Sequence, residues 1–410
     1  MVLNEEIWVY LSMPIICAVV GYGTNWLCIK MMSYPTKFIG IMPPYLGWQG
    51  VIPRRAPVIA AIQVDIMTSR LITVEEIFSR LEPEQIAKEL KPILPAIIES
   101  ITDELMMAQA PRVWEAMPLK LKQRVYKRAR EHAPQVIAEM MLEVQSNIDE
   151  VFDLKGMITS AFTDNPEMLV KVIQEVGYKE LTFVQNSGAY FGFLFGIIQA
   201  VAWIFYQEGW ILPAAGVLVG AGTNWIALNM IFSPKHPTKV GPFTFHGLFM
   251  KRQQEVATDF GLIISREILN PKAVMTNLLQ GPASDKMLYL VQKNVQRNLD
   301  EFVGYGKPLV TIALGSRRFQ EIKNHAVARV MAHLPEAMGL SYDYIEKAMD
   351  VDNMLRTKMG ELTPEEFEDI LRPAFKEDEK LLVALGAVLG FLVGWAQLVF
   401  TLGVSLSWPF

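Results

Sequence analysis

The fold class the sequence predicts is all-α: an integral membrane protein with four transmembrane helices and two tandem repeats, each carrying a cytoplasmic helical domain. Three observations predict it. Four uncharged runs, Ile7 to Ile29, Leu181 to Gln207, Gly209 to Pro234 and Leu381 to Phe410, each exceed the roughly 20 residues that a helix needs to cross about 30 Å of hydrocarbon. The stretch Gly21-Tyr22-Gly23-Thr24-Asn25-Trp26 returns as Gly220-Ala221-Gly222-Thr223-Asn224-Trp225. Between the runs, apolar residues recur at three and four, as in Leu71, Val74, Ile77, Phe78 and Leu81, which is the helical period and not the two-residue alternation of strands.

Composition narrows the classes. A 410-residue chain that is 51% hydrophobic has either a very large core or a part in lipid, and the clustering of its apolar residues selects lipid. The first run follows Glu5 and Glu6 instead of a basic segment, so it reads as a retained anchor and not as a signal peptide. A formal net charge of −5 with no long basic tract gives no reason to expect nucleic acid. Cys17 and Cys28 both lie in the first run and imply neither a disulfide framework nor a zinc site.

In order, residues 1–33 form the first transmembrane helix, with Pro14 tolerated because neighbouring helices can satisfy the freed carbonyl. Residues 34–55 contain an uncharged segment broken by Pro43, Pro44 and Pro53, too short to span and suited by its aromatics to an interfacial loop. Residues 56–180 are helical, punctuated by Pro83, Pro92, Pro95, Pro111, Pro118 and Pro134, with Asn165-Pro166 marking a helix start. Residues 181–234 form a tight transmembrane hairpin of the second and third helices. A second interfacial loop, 235–252, a second helical domain, 253–380, and the fourth helix, 381–410, complete the chain.

The correspondence extends beyond the motif. Pro14 matches Pro213, Gly50 matches Gly247, Arg55 matches Arg252, Pro166 matches Pro364, and Gly192 and Gly196 match Gly390 and Gly394. Each unit crosses twice, so the copies insert the same way round about an axis along the membrane normal. Lys30, Lys37, Arg54, Arg55, Lys235, Lys239, Lys251 and Arg252 follow the first and third helices. By the positive-inside rule the helical domains are cytoplasmic and both termini lie outside.

Candidate sites follow from what polar groups cost in lipid. Asn25 and Asn224 need partners inside a membrane helix. In one reading the two motifs face each other, with Gly21, Gly23, Gly220 and Gly222 allowing close approach and Thr24, Asn25, Thr223 and Asn224 bonding across. In the other, the same groups line a polar cleft for an ion, solute or headgroup. Trp26 and Trp225 suit the interfacial belt in both. Arg54, Arg55, Lys251 and Arg252 either contact lipid phosphates or only set orientation. Gly192, Gly196, Gly390 and Gly394 have the spacing of close helix packing, and Gln199 and Gln397 suit interhelical hydrogen bonds.

Catalytic constellations are not evident. His132, His236, His246, His325 and His333 lack metal-ligand spacing, Gly304-Tyr305-Gly306-Lys307 lacks the full phosphate-loop pattern and reads as a turn, and no nucleophile elbow occurs. Neither enzymatic activity nor a metal or other cofactor is expected.

The elements Gly23-Thr24-Asn25-Trp26-Leu27-Cys28-Ile29-Lys30-Met31, Pro35, and Gly50-Val51-Ile52-Pro53-Arg54-Arg55 resemble the YheB and YjiN type of bacterial membrane proteins, a family classed as a domain of unknown function. In the second copy Met250 stands where Pro53 stands. The resemblance implies an integral protein of the bacterial cell membrane and brings no reaction. Two readings remain: a non-enzymatic structural or interaction protein, engaging a protein partner or a second copy through its cytoplasmic helices, or a transport or lipid-handling protein with the Thr-Asn motifs as polar lining. Membrane lipids are partners in both.

Overall fold

The computed structural model describes residues 2–43, 45–109, 111–206, 208–303, 316–373 and 379–402; the Gly304–Lys307 turn and residues 403–410 lie outside these. The first half runs α1 (Val2–Ser33), β1 (Ile39–Met42), β2 (Leu46–Trp48), α2 (Val51–Arg54), α3 (Ala56–Ile66), a π-helical turn (Met67–Leu71), α4 (Val74–Ser79), α5 (Pro83–Leu90), α6 (Leu94–Gln109), α7 (Pro111–Ala116), α8 (Leu119–Ser146), α9 (Ile148–Val151), α10 (Leu154–Asp164), α11 (Pro166–Val176) and α12 (Tyr178–Phe205). The second half runs α13 (Ile211–Phe232), β3 (Thr238–Val240), β4 (Phe243–Phe245), α14 (Leu248–Lys251), α15 (Gln253–Glu267), α16 (Pro271–Gln280), α17 (Ser284–Val303), α18 (Ser316–Gly339), α19 (Tyr342–Met349), α20 (Val351–Glu361), α21 (Pro364–Leu371) and α22 (Glu379–Leu402). Two units emerge. The first is Met1–Met67, Thr159–Ile263 and Leu355–Phe410, and the second is Thr68–Ile158 and Ile264–Met354.

In the first unit, four helices are long and apolar enough to cross a membrane, over Tyr10–Ser33, Tyr178–Phe205, Ile211–Phe232 and Glu379–Val399. Their glycines decide how they pair. Gly188, Gly192 and Gly196 recur every four residues and so form one stripe along α12. A Cβ at these positions would strike the carbonyls of Gly21 and Cys17 and the Cα of Pro14 on α1. On α22, Gly386, Gly390 and Gly394 meet Gly220, Gly216 and Leu212 to Pro213 of α13 in the same way. Backbones this close gain dispersion contacts that lipid cannot supply, so α1 with α12 and α13 with α22 are the two tight pairs. α12 and α13, joined by a short link, also touch each other, while the glycine stripe of α12 is turned to α1.

Residues 34–55 and 235–252, expected as interfacial loops, each fold into a two-stranded antiparallel hairpin, pairing Ile39 with Trp48 and Thr238 with Phe245. A cis peptide precedes Pro35 and Pro234. The Gly50 N–H donates to the Pro35 carbonyl at 2.9 Å, and the Gly247 N–H to the Pro234 carbonyl at 2.8 Å. Each glycine also abuts the preceding helix end, where a Cβ would meet the main chain of Ser33 or Phe232. Pro53 and Met250 occupy equivalent places in α2 and α14, so this exchange leaves the geometry unchanged. Asn165 is the N-cap of α11 with Pro166 in its first turn, as the Asn-Pro pair predicts.

The second unit is a helical stack. Thr73 caps α4 by accepting the Glu76 N–H at 3.2 Å, and Ile77, Phe78 and Leu81 are buried. The Gln145 amide donates to the Phe78 and Leu81 carbonyls, each at 2.7 Å, tying α8 to the chain at the end of α4. Pro83 and Pro111 open α5 and α7, and Pro118 is the N-cap of α8. Pro134, expected as a break, lies inside the 28-residue α8. A proline costs an internal hydrogen bond, but α8 packs on α5, α6 and α17, and packing carries more helix stability than propensity does.

Candidate functional site

The two Thr-Asn motifs sit in the first helix of each tight pair. Asn25 is fully buried and donates from Nδ2 to the Val184 carbonyl of α12 at 2.6 Å. Asn224 is likewise buried and donates to the Leu382 carbonyl of α22 at 2.8 Å. Each amide occupies space that a side chain on the facing helix would need, because a Cβ on Gly188 would meet the Asn25 Nδ2 and one on Gly386 the Asn224 Nδ2. The expected bonding of motif to motif is thereby corrected. The amides turn to main-chain carbonyls of the helix each already touches, a fixed acceptor at shorter reach than the other motif. Thr24 and Thr223 donate to Gly21 and Gly220 of their own helices, at 3.1 and 3.4 Å.

The motif glycines divide into two kinds. Gly21 and Gly220 carry the close approach, whereas a Cβ on Gly23 would meet nothing within 4 Å and one on Gly222 only the Phe195 ring at 3.7 Å. Trp26 and Trp225 are 46% and 57% exposed and face outward from the bundle. Gln199 and Gln397 meet across the two pairs at 3.5 Å, and the Cys17 thiol donates to Gln199 Oε1 at 3.1 Å.

Where the pairs adjoin, Asn25, Cys28, Met32, Val184, Asn224 and Ile231 contribute to a cavity of about 20 Å³. That is room for about one water molecule. The Asn25 Oδ1 is buried without a hydrogen-bond partner, while the Asn224 amide also reaches the Cys28 thiol at 3.5 Å.

The basic pairs are placed unequally. Arg54 and Lys251 are exposed, and Arg55 is half-buried. Arg252 is not open to a headgroup: its Nη1 lies 2.5 Å from Oε1 of the buried Glu180 and its Nε 2.9 Å from Glu255, which Lys179 also holds at 2.7 Å. Burial opposes the Arg252 charge, but Glu255 and Glu180 outweigh it and raise its pKa. Lys179 and then Arg252 hold the Glu255 carboxyl below the usual carboxylate range. A second buried carboxylate, Glu368, bonds to Lys235 at 2.6 Å and to Arg372. Burial pushes its carboxyl up, and the two cations more than reverse this, leaving it below its ordinary range.

Sequence reasoning missed Glu180, Glu368, Gly188, Gly216 and the carbonyls of Val184 and Leu382. The four-residue step of Gly188, Gly192 and Gly196 was an available signal for the first glycine. Nothing local marks a carbonyl as an acceptor. Among the described residues, no three histidines, cysteines or carboxylates stand together to hold a metal.

Buried amides, glycine seams and four apolar helices define a multi-pass, helical membrane protein. Its relatives are bacterial proteins called UPF0754 membrane proteins, of unknown function. The chain is similar to those of Exiguobacterium sibiricum, 29% identical over 138 residues, and Bacillus pumilus, 32% identical over 89 residues. These matches cover 30% and 21% of this chain and only 36% and 23% of those proteins. The UPF0754 membrane protein of a Synechococcus is 19% identical over 437 residues, covering 97% of this chain and 99% of its own. No family profile matches the chain. No solved structure matches it.

Proposed function

We propose that this chain is a non-enzymatic structural or interaction protein of the bacterial cell membrane, of the YheB and YjiN type. It is a tandem duplication with both helical domains in the cytoplasm and both termini outside. The membrane helices anchor and align the helical domains, which engage a protein partner or a second copy. The observation that carries this reading is the use of the Asn25 and Asn224 amides. Both are bonded to main-chain carbonyls within glycine-packed pairs, and the space between the pairs holds about one water. A residue committed to packing is not available to a solute. A transport or lipid-handling role draws support from one atom, the unpartnered Asn25 Oδ1.

Native mass spectrometry of protein released from its own membranes, wild type against Asn25→Ala with Asn224→Ala, separates the two. The interaction reading expects a destabilised variant and either a bare protein or an adduct that is a polypeptide. A stoichiometric lipid or solute that disappears from a still-folded variant would replace it with the transport reading.

A further inference from the structure

We infer that the end of the second unit built by α6, α7 and the start of α8 is a docking surface for an anionic phospholipid bilayer. This rests on reading the helical segments as interaction domains, and on nothing about the asparagines. The observation is a concentration of charge that the whole-chain balance hides. From Arg112 to Arg130 the sequence holds seven basic residues, Arg112, Lys120, Lys122, Arg124, Lys127, Arg128 and Arg130, against Glu115 alone, in a chain of net charge −5.

The scaffold beneath is built. Asp103 of α6 accepts from Trp114 Nε1 of α7 at 3.0 Å and from the Tyr126 hydroxyl of α8. The two rings meet edge to face at 5.9 Å, and Lys122 lies over the Trp114 ring at 4.9 Å. These bonds lock three helices together. Lys127 and Arg130 have carboxylate neighbours in Glu131 and Glu99, each at 3.8 Å. Arg112, Lys120 and Arg124 are exposed and, among the described residues, pair with no carboxylate. Set among them are Val113, Leu119 and Leu121, with exposures of 53%, 76% and 45%.

Protruding aliphatic side chains set among lysine and arginine match one partner chemistry. The apolar tips enter the headgroup boundary while the cations lie at the level of the lipid phosphates. Nucleic acid fits less well, because base stacking needs exposed aromatics, and both aromatics here are turned inward on Asp103. An acidic protein surface would satisfy the cations but leave Leu119 without a use.

The test uses the full chain in phosphatidylcholine nanodiscs, with Gln123→Cys carrying a polarity-sensitive dye; position 123 is exposed, whereas Cys17 and Cys28 are buried. The expected result is a blue shift when phosphatidylglycerol is supplied, either in the nanodisc or in added vesicles, and its loss at high salt. Lys120→Gln with Arg124→Gln should raise the half-saturating lipid concentration by about 30-fold, at about 1 kcal/mol per basic side chain near the surface. Leu119→Ser should reduce the shift without altering its salt dependence. No shift in either format, an equal shift with phosphatidylcholine alone, or indifference to the two charge removals would overturn the inference. A shift with polyglutamate and none with lipid would also overturn it, while leaving the interaction reading intact.

Discussion

The helix pairing turns on single atoms at glycine, and two glycines of one motif should respond oppositely to the same change. In Gly21→Ala the new methyl lies against the Gly188 carbonyl, a main-chain atom that no rotamer change can move. The helices must part, and a gap of about 0.5–1 Å already forfeits a quarter to a half of each dispersion contact along the seam. Overpacking of this kind costs about 1–3 kcal/mol, partly offset by the roughly 1 kcal/mol that alanine gains over glycine in a helix. In Gly23→Ala, two residues on, the methyl meets nothing within 4 Å, so only the propensity gain remains. Because that gain is common to both variants, their difference isolates the overpacking, and Gly21→Ala should be less stable than Gly23→Ala by about 1–3 kcal/mol. Reversible unfolding in mixed micelles, titrated with a denaturing detergent, measures it. Gly220→Ala against Gly222→Ala repeats the comparison in the second half. Equal stability of the two variants in either half would refute the assignment of the seam.

Other consequences follow from the buried charges and amides. Glu180→Gln should destabilise the protein by less than the roughly 3–5 kcal/mol of an uncompensated buried charge, because Arg252 keeps Glu255 at 2.9 Å, and Glu180→Leu with Arg252→Met should recover most of the loss; a double variant no better than the single would show that the pair does not carry it. Glu368 has a depressed carboxyl, so its contribution is full above the unfolded-state value of about 4.3 and is lost as pH falls through the lower folded value. The melting temperature of the wild type should therefore drop more steeply on acidification below about pH 4.3 than that of Glu368→Gln, and parallel curves would exclude Glu368 as the titrating group. A double-mutant cycle on Gln199→Ala and Gln397→Ala should return a coupling of about 0.6 kcal/mol, the average for hydrogen bonds between membrane helices; zero coupling would mean that the 3.5 Å contact is not energetic.

What was legible in the sequence, and what was not, divides by the range of the physics involved. The four spans could be read because a bilayer excludes charge from some 20 consecutive residues, a property of the string itself. Helix starts at Asn165-Pro166 were local as well. The hairpins were not, since Ile39–Met42 and Leu46–Trp48 offer four and three residues, too few for an alternation to stand out. The basic surface escaped because charge was summed over the whole chain, and seven cations dispersed through 19 residues never form a run. Glu180 and Arg252 are 72 residues apart, and only the folded chain brings them together. The asparagines are the instructive case. Their cost in lipid shows that each must have a partner, and symmetry suggested a partner among the threonine and asparagine of the other motif. The nearer acceptor was a carbonyl, reachable because a glycine stripe brings bare main chain to the amide. Glycine at 188 and 386 and asparagine at 25 and 224 therefore serve one contact: the glycine removes the side chain that would shield the carbonyl, and the amide fills the space so made.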